Sequence, residues 1–286
     1  MRTSLRTELY KALHNRMFFS ALGIGIIISL INVVQCSGTV QEYTNWLLRV
    51  ISEGRSMSTS YIGFSLFINW MGTNLISFSR SLFFFIWPVL AAMPYGWSYS
   101  SERRSGYYNQ VASRSSRKRY FCSKYIAVFV SGGLAGAVPL LFDLLANALV
   151  SPDAVPDVTL MIQPISNGCF LSGLYYTHPW VFALIWCFVD FLWGGVAACT
   201  CFLVGAKIRL QVIVMLVPFM IFVLLDGLNT TVRRFMLLYQ TFSPLQLAQP
   251  ITMSANPGWV VFSVMGVLFL LTVTVGYWQV VKHELA

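Results

Sequence analysis

The chain has 286 residues, 57% hydrophobic and only 10% charged, with a net charge of +9 and a mean hydropathy of +0.68. Soluble domains carry roughly 25% charged residues, so a water-covered globular surface is excluded. An aromatic content of 15% excludes a solvated disordered coil. Six scattered cysteines exclude a short disulfide-stapled secreted domain. A polytopic all-α membrane protein remains, and the placement of its basic residues carries its orientation.

Residues 1–16 read as an interfacial amphipathic helix. Leu5, Leu9 and Leu13 recur at four-residue spacing beside Ala12, while Arg2, Arg6 and Lys11 point elsewhere. Six stretches are apolar enough to cross a bilayer, at 17–36, 81–100, 125–150, 180–206, 210–228 and 259–281. The first is kept as a span, not a cleaved leader, because no Ala-x-Ala site follows it. The uncharged stretch Ser56–Ser79 is diluted by Ser58, Asn69, Thr73 and Asn74 and leaves no turn before the next span. It is expected outside, as an interfacial helix.

Parity supports that choice. With six spans the basic N-terminus and the basic loop 101–124 share one face, which positive charge makes cytoplasmic. The expected topology is N-in and C-in, with 14 of the 19 Lys and Arg inside and with external segments at 37–80 and 229–258. The second external segment mixes Phe235, Leu237 and Leu245 with Pro244, Pro250 and Pro257, which fits a re-entrant or interfacial pair of helices or a folded cap over the spans.

Three acids fall within the spans. Asp190 is expected deepest, whereas Asp143 and Asp226 are expected near the outer ends, within reach of interfacial water. An intramembrane carboxylate costs roughly 2.5–3.5 kcal/mol at a helix centre, so each is a candidate for a substrate path or proton site, or for interhelical hydrogen bonding. Gly132, Gly136, Gly194 and Gly195 mark close helix packing, and Pro88, Pro94, Pro139 and Pro218 mark kinks. Cys36 and Cys169 both fall outside, which leaves a disulfide between them open.

The loop 101–124 carries seven basic residues against one acid, Glu102. Such a loop suits a short helix that docks on a partner or on anionic lipid. Its order, Glu102-Arg103-x-x-Gly106, then Ser113-Arg114-x-x-Arg117-Lys118-Arg119 and finally Lys124 at the next span, resembles the cytoplasmic loop of ABC type-2 permeases. These are the membrane subunits of export-type ATP-binding-cassette transporters. The opening Thr7-Glu8-Leu9-Tyr10-Lys11 and the six-span layout are similar to that family too, whereas Tyr107-Tyr108 and Arg114 depart from its common pattern.

That resemblance implies a coupling helix seated on a separate ATPase subunit. Two such ATPases, a second permease copy or paralogue, and membrane lipid are then the implied partners, without nucleic acid. ATP and Mg would belong to the ATPase, since this chain has no Gly-x-x-x-x-Gly-Lys-Ser/Thr loop and binds no cofactor of its own on this reading. The implied location is a bacterial plasma membrane, and the aromatic spans suggest a peptide, lipid or hydrophobic drug as cargo. His14, His178 and His283 form no metal or catalytic pattern, so the chain is not expected to be an enzyme. A proton-coupled carrier using Asp190, or a non-transporting scaffold or sensor, are the alternatives.

Overall fold

The computed structural model describes residues 2–54, 65–114, 116–156, 165–166, 168–205, 207–208, 210–236, 240–251 and 256–282. Among the described residues every regular element is helical, and five helices are long and apolar enough to cross a membrane. In chain order they are α1 (Arg2–Leu13), α2 (Arg16–Ser52), α3 (Leu66–Asn69), α4 (Phe78–Ala92), α5 (Ser98–Arg104) and α6 (Tyr107–Arg114). The second half holds α7 (Arg117–Asn147), α8 (Ser172–Thr177), α9 (Pro179–Cys199), α10 (Gln211–Met236), α11 (Pro244–Leu247) and α12 (Gly258–Tyr277).

Helix starts follow local chemistry. The Asn15 side chain accepts from Met17 N to cap α2, and Ser116 accepts from Arg119 N to cap α7. Pro179 and Pro244 open α9 and α11, where a missing N–H costs nothing. The long helices are those the apolar runs predict, but their ends move. Helix α2 continues 16 residues past the expected boundary, to Ser52, and α10 eight residues past, to Met236. The expected span 81–100 is divided: α4 ends at Ala92, a turn holds Pro94 and Gly96, and α5 starts at Ser98. Pro94 has no N–H for the helical ladder, so the break falls where the sequence cannot sustain it. At 15 residues α4 is about 22 Å long, shorter than the ~30 Å hydrocarbon core.

Helix α7 is the axis of the bundle. It packs most extensively on α9 and also touches α1, α2, α4, α6 and α12. The seam with α9 is close because it is lined by glycine: a Cβ on Gly132 would overlap the Ala198 methyl and lie 2.8 Å from Ala91 O. Trp70, Trp87, Trp193, Phe83 and Leu140 fill the core beside it. Outward-facing side chains such as Phe19, Ile27, Phe188, Leu224 and Leu270 are exposed and apolar, the surface expected against lipid.

Two expectations about peripheral segments change. The apolar face of α1 (Leu9 and Ala12) lies on the bundle beside Tyr95, Tyr99 and Tyr125 instead of in an acyl boundary. The first part of the segment 65–77 is interior: Leu66, Phe67, Trp70 and Met71 are buried among α2, α7 and α9, where their apolar area leaves water, while Leu75 and Ile76 are exposed. Residues 55–64 of the same stretch lie outside the described residues. The cap 240–251, with Thr241, Ser243 and Leu247 buried, folds back over the same end of the bundle. No disulfide joins Cys36 to Cys169; both are buried thiols.

Candidate functional site

Two buried polar clusters sit toward opposite ends of α7. Lys124 and Asp143 are 19 residues apart, which is about 28 Å along a helix.

At the first cluster three segments meet that are far apart in sequence. The Lys124 side chain is fully buried; its ammonium pairs with Glu8 at 3.2 Å and with Glu102. The Tyr95 hydroxyl donates to Glu8 Oε2 at 2.8 Å, and the Tyr120 hydroxyl donates to Glu102 Oε2 at 2.6 Å. The same ammonium lies 4.8 Å from the Tyr95 ring centroid and 5.6 Å from that of Tyr120, within cation–π range. Lys11, one turn from Glu8, pairs with it at 3.3 Å and lies over the Tyr107 ring. Two carboxylates and the Lys124 ammonium thus share a largely water-excluded pocket beside Tyr95 and Tyr120, with the half-exposed Lys11 at its rim.

The cluster fastens α1 and the α5–α6 hairpin to α7. Further bonds act with it: Ser4 Oγ to Ser123 Oγ at 3.2 Å, Asn15 Nδ2 to Pro94 O at 3.1 Å, and Tyr108 Oη to Val280 O at 2.8 Å. Helices α5 and α6 turn at Gly106, whose φ of +73° favours glycine. Arg103, Arg104, Lys118 and Arg119 are exposed around this hairpin, so the end of the bundle is basic outside and ion-paired inside. The side chains of Ser113 and Arg114 lie outside the described residues.

The sequence pattern therefore divides into two sets. Glu102 and Lys124 are interior residues: Lys124 has no exposed surface with which to touch a partner. Arg103, Lys118 and Arg119 form the outer face, with Arg117 half-buried. Tyr95 and Tyr120 were not singled out by sequence reasoning, and Glu8 stood out only as part of the Thr7–Lys11 segment. Glu8 had a legible signal, an acid set on the same helix face as Leu5, Leu9 and Ala12, which only a buried cation can satisfy.

Burial pushes the Glu8 carboxyl up, but Lys124, Tyr95 and Lys11 outweigh it and hold it below its ordinary value. Burial likewise lowers the Lys11 ammonium, and Glu8 outweighs it, raising the group above its ordinary value. A depressed carboxyl contributes stability above its unfolded value, near 4.5, and loses it as pH falls through the folded value. A raised ammonium contributes below 10.5 and loses it as pH rises through the folded value. Helix α1 is thus fastened between those limits. Backbone hydrogen exchange in α1, corrected for intrinsic rate, is expected to accelerate at about pH 3.5 relative to pH 6, with the centre of α7 unchanged. Equal protection of α1 at both pH values would remove Glu8 from this role.

At the second cluster Asp143 is fully buried, which corrects its expected reach to interfacial water. Its carboxylate accepts from Met71 N at 2.6 Å, from Asn32 Nδ2 at 3.0 Å and from Asn147 Nδ2 at 3.1 Å. Asn32 also donates to Asn69 O, and its Oδ1 accepts from Ser77 Oγ at 2.7 Å. Asn69 in turn donates to Ser151 Oγ at 2.9 Å. Asp143 therefore closes the buried turn 65–77 onto α2 and α7. An asparagine within the first apolar run was the available sign that this span had a polar partner.

The remaining two acids differ. Asp190 is buried deep in α9, as expected, and neither of its oxygens has a hydrogen-bond partner. Asp226 accepts from Gln246 Nε2 at 2.9 Å and so ties α10 to the cap. The structure does not bring the three acids together into one path. Among the described residues no group of His, Cys, Asp and Glu is placed to hold a metal ion.

No protein-family model matches this chain, and no curated protein matches it in sequence.

Proposed function

We propose that this chain is the membrane permease subunit of an ATP-binding-cassette exporter, working as a pair with a second copy or a paralogue and with two ATPase subunits. On this reading the basic end of the bundle faces the cytoplasm, since positive charge prefers that side. Helix α4 then counts as the sixth span, and both termini lie inside. The cargo is amphipathic or apolar.

One observation carries the reading. A short helical hairpin (α5–α6) at the basic end is bolted to α7 through the Glu102–Lys124 pair, while Arg104 on the hairpin and Lys118 and Arg119 at the adjoining start of α7 are exposed. A partner that pushes on this hairpin would move α7 and α1 with it, because breaking a buried ion pair costs several kcal/mol. A loop that only set topology would need no such fastening.

The test uses the chain purified with its ATPase in lipid vesicles. Arg104→Glu with Lys118→Glu is expected to lower ATPase association or cargo-stimulated hydrolysis at least tenfold while leaving thermal melting unchanged, because both side chains face solvent. Unchanged association and hydrolysis would defeat the coupling role. The unpartnered Asp190 favours a second reading, a proton-coupled carrier. Transport that survives ATP depletion and collapses with the proton gradient, and that is lost in Asp190→Asn, would put that reading first.

A further inference from the structure

The glycine seam between α7 and α9 runs up to an acid with no partner. The two helices touch backbone to backbone: a Cβ on Gly194 would lie 2.8 Å from Gly132 O, and one on Gly133 would lie 2.6 Å from Phe191 O. About one turn further along α7, a Cβ on Gly136 would lie 3.6 Å from Asp190 O and 2.6 Å from Trp87 Nε1. The Asp190 side chain is fully buried, and neither of its oxygens accepts a hydrogen bond.

Donors are present but do not reach it. Trp186 and Trp193, four residues before Asp190 and three after it, share its face of α9, and Trp87 stands across Gly136. All three indole N–H groups are buried without an acceptor. The helices packed on α9 supply no counter-ion. Arg80 of α4 bonds to Gln249, Lys124 of α7 pairs with Glu8 and Glu102, and Asp143 of α7 takes its own donors. The hydroxyls of Tyr175 and Tyr176 on α8 donate to Phe67 O and Ile165 O. Tyr277 of α12 and Cys201 after α9 lie toward the Lys124 end. On α9 itself Cys187, three residues away, lies within electrostatic reach of Asp190 and of Asp143.

We propose that Asp190 is a proton-binding latch on the α7–α9 seam. The neutral acid is the form that a dry, closely packed seam can hold, since an ionised carboxylate in an apolar core needs donors or a counter-ion. When the carboxyl gives its proton to water, the anion must be solvated. The start of α9 then separates from Gly136 and Trp87, so that water and the indole N–H groups reach the carboxylate. The proton leaves toward the cap, where a pocket with room for about one water is walled by Trp186, one turn of α9 from Asp190. The latch requires no proton to cross the membrane, so it stands apart from the carrier reading of the same residue and holds whichever energy source moves the cargo.

Infrared spectra of the full chain in lipid vesicles test the parent protein directly. Buried carboxyls titrate as high as roughly pH 8–9, so spectra are taken at about pH 6 and about pH 10. At the lower pH a carboxylic-acid carbonyl band at the unbonded position is expected. A protonated Asp143 would absorb at lower frequency, because its oxygens accept three N–H groups. The unbonded band is expected to be lost at the higher pH and to be missing from Asp190→Asn at both. Hydrogen exchange, corrected for intrinsic rate, supplies the mechanical readout. Amides of 186–199 are expected to exchange about tenfold faster once the band is lost, with the centre of α10 unchanged. Asp190→Asn, a neutral stand-in of the same size, is expected to keep them protected at both pH values. No unbonded acid band at the lower pH, a band that persists at the higher one, unchanged protection of α9 as the band is lost, or the same acceleration in Asp190→Asn would each overturn the latch.

Discussion

Lys124→Met is expected to destabilise the folded chain by about 3–5 kcal/mol, seen as a large fall in melting temperature in lipid or mild detergent. The methionine fills most of the same volume, so the loss is electrostatic. Glu8 and Glu102 would remain in a largely dry pocket, with the half-exposed Lys11 paired on the Glu8 side. The hydroxyls of Tyr95 and Tyr120 can solvate two anions only in part. The informative control adds Glu8→Gln and Glu102→Gln to Lys124→Met. Removing all three charges leaves only Lys11 without its carboxylate, and that half-exposed ammonium is solvated by water. Exchange of a buried ion network for neutral groups is often near neutral in stability. The triple variant is therefore expected to recover most of the loss in stability while losing any transmission that depends on the pairs. A single variant that melts like the parent would show that the cluster does not hold α1 and the hairpin.

Asp143→Ala is expected to cost about 3–5 kcal/mol at the other end of α7, since three buried donors lose their acceptor and each orphaned group costs about 1–3 kcal/mol. The damage should be local first. Met71 N, Asn32 Nδ2 and Asn147 Nδ2 all converge on this carboxylate, so residues 65–77 should lose hydrogen-exchange protection before α7 or α9 does. Asp143→Asn keeps one acceptor oxygen and should cost roughly half as much. If residues 65–77 stay protected in Asp143→Ala, the turn is held by Trp70 and Leu66 packing alone and the polar network is incidental.

Much of the fold was legible because hydrocarbon imposes a local rule. Each span must satisfy its own backbone, so an apolar run near 20 residues reads as a helix without knowledge of its neighbours. The run at 259–281 accordingly matches α12 closely, while α7 starts at Arg117, ahead of the run at 125–150, and α9 ends at Cys199, short of 206. The errors fall where a helix continues past its apolar part, as in α2 and α10, or where an interior proline breaks it, as after Ala92. Hydropathy sees the lipid boundary and is blind to the hydrogen-bond ladder, which runs on through Ser37 to Ser52 without regard to it.

The polar sites were legible only as residues. Glu102, Lys124 and the Thr7–Lys11 segment stood out as an ordered pattern, and Asp143 and Asp190 stood out as acids in apolar runs. Which of them would be satisfied was not readable. Asp143 and Asp190 look alike in sequence, each a lone carboxylate in a span, yet one accepts from three donors and the other from none.

Composition and hydropathy by themselves determined that the chain is helical with runs apolar enough to cross a membrane, because that follows from the transfer of single segments into lipid. Only the tertiary structure decided that Lys124 is an interior bolt and not a surface contact, that Leu66, Phe67, Trp70 and Met71 are core, and that Arg80 bonds to Gln249 of the cap. Those outcomes depend on partners as far away in the chain as Glu8 is from Lys124, or Arg80 from Gln249. Burial of a charge or a donor is a property of the pair that neutralises it, and no window of sequence contains both members.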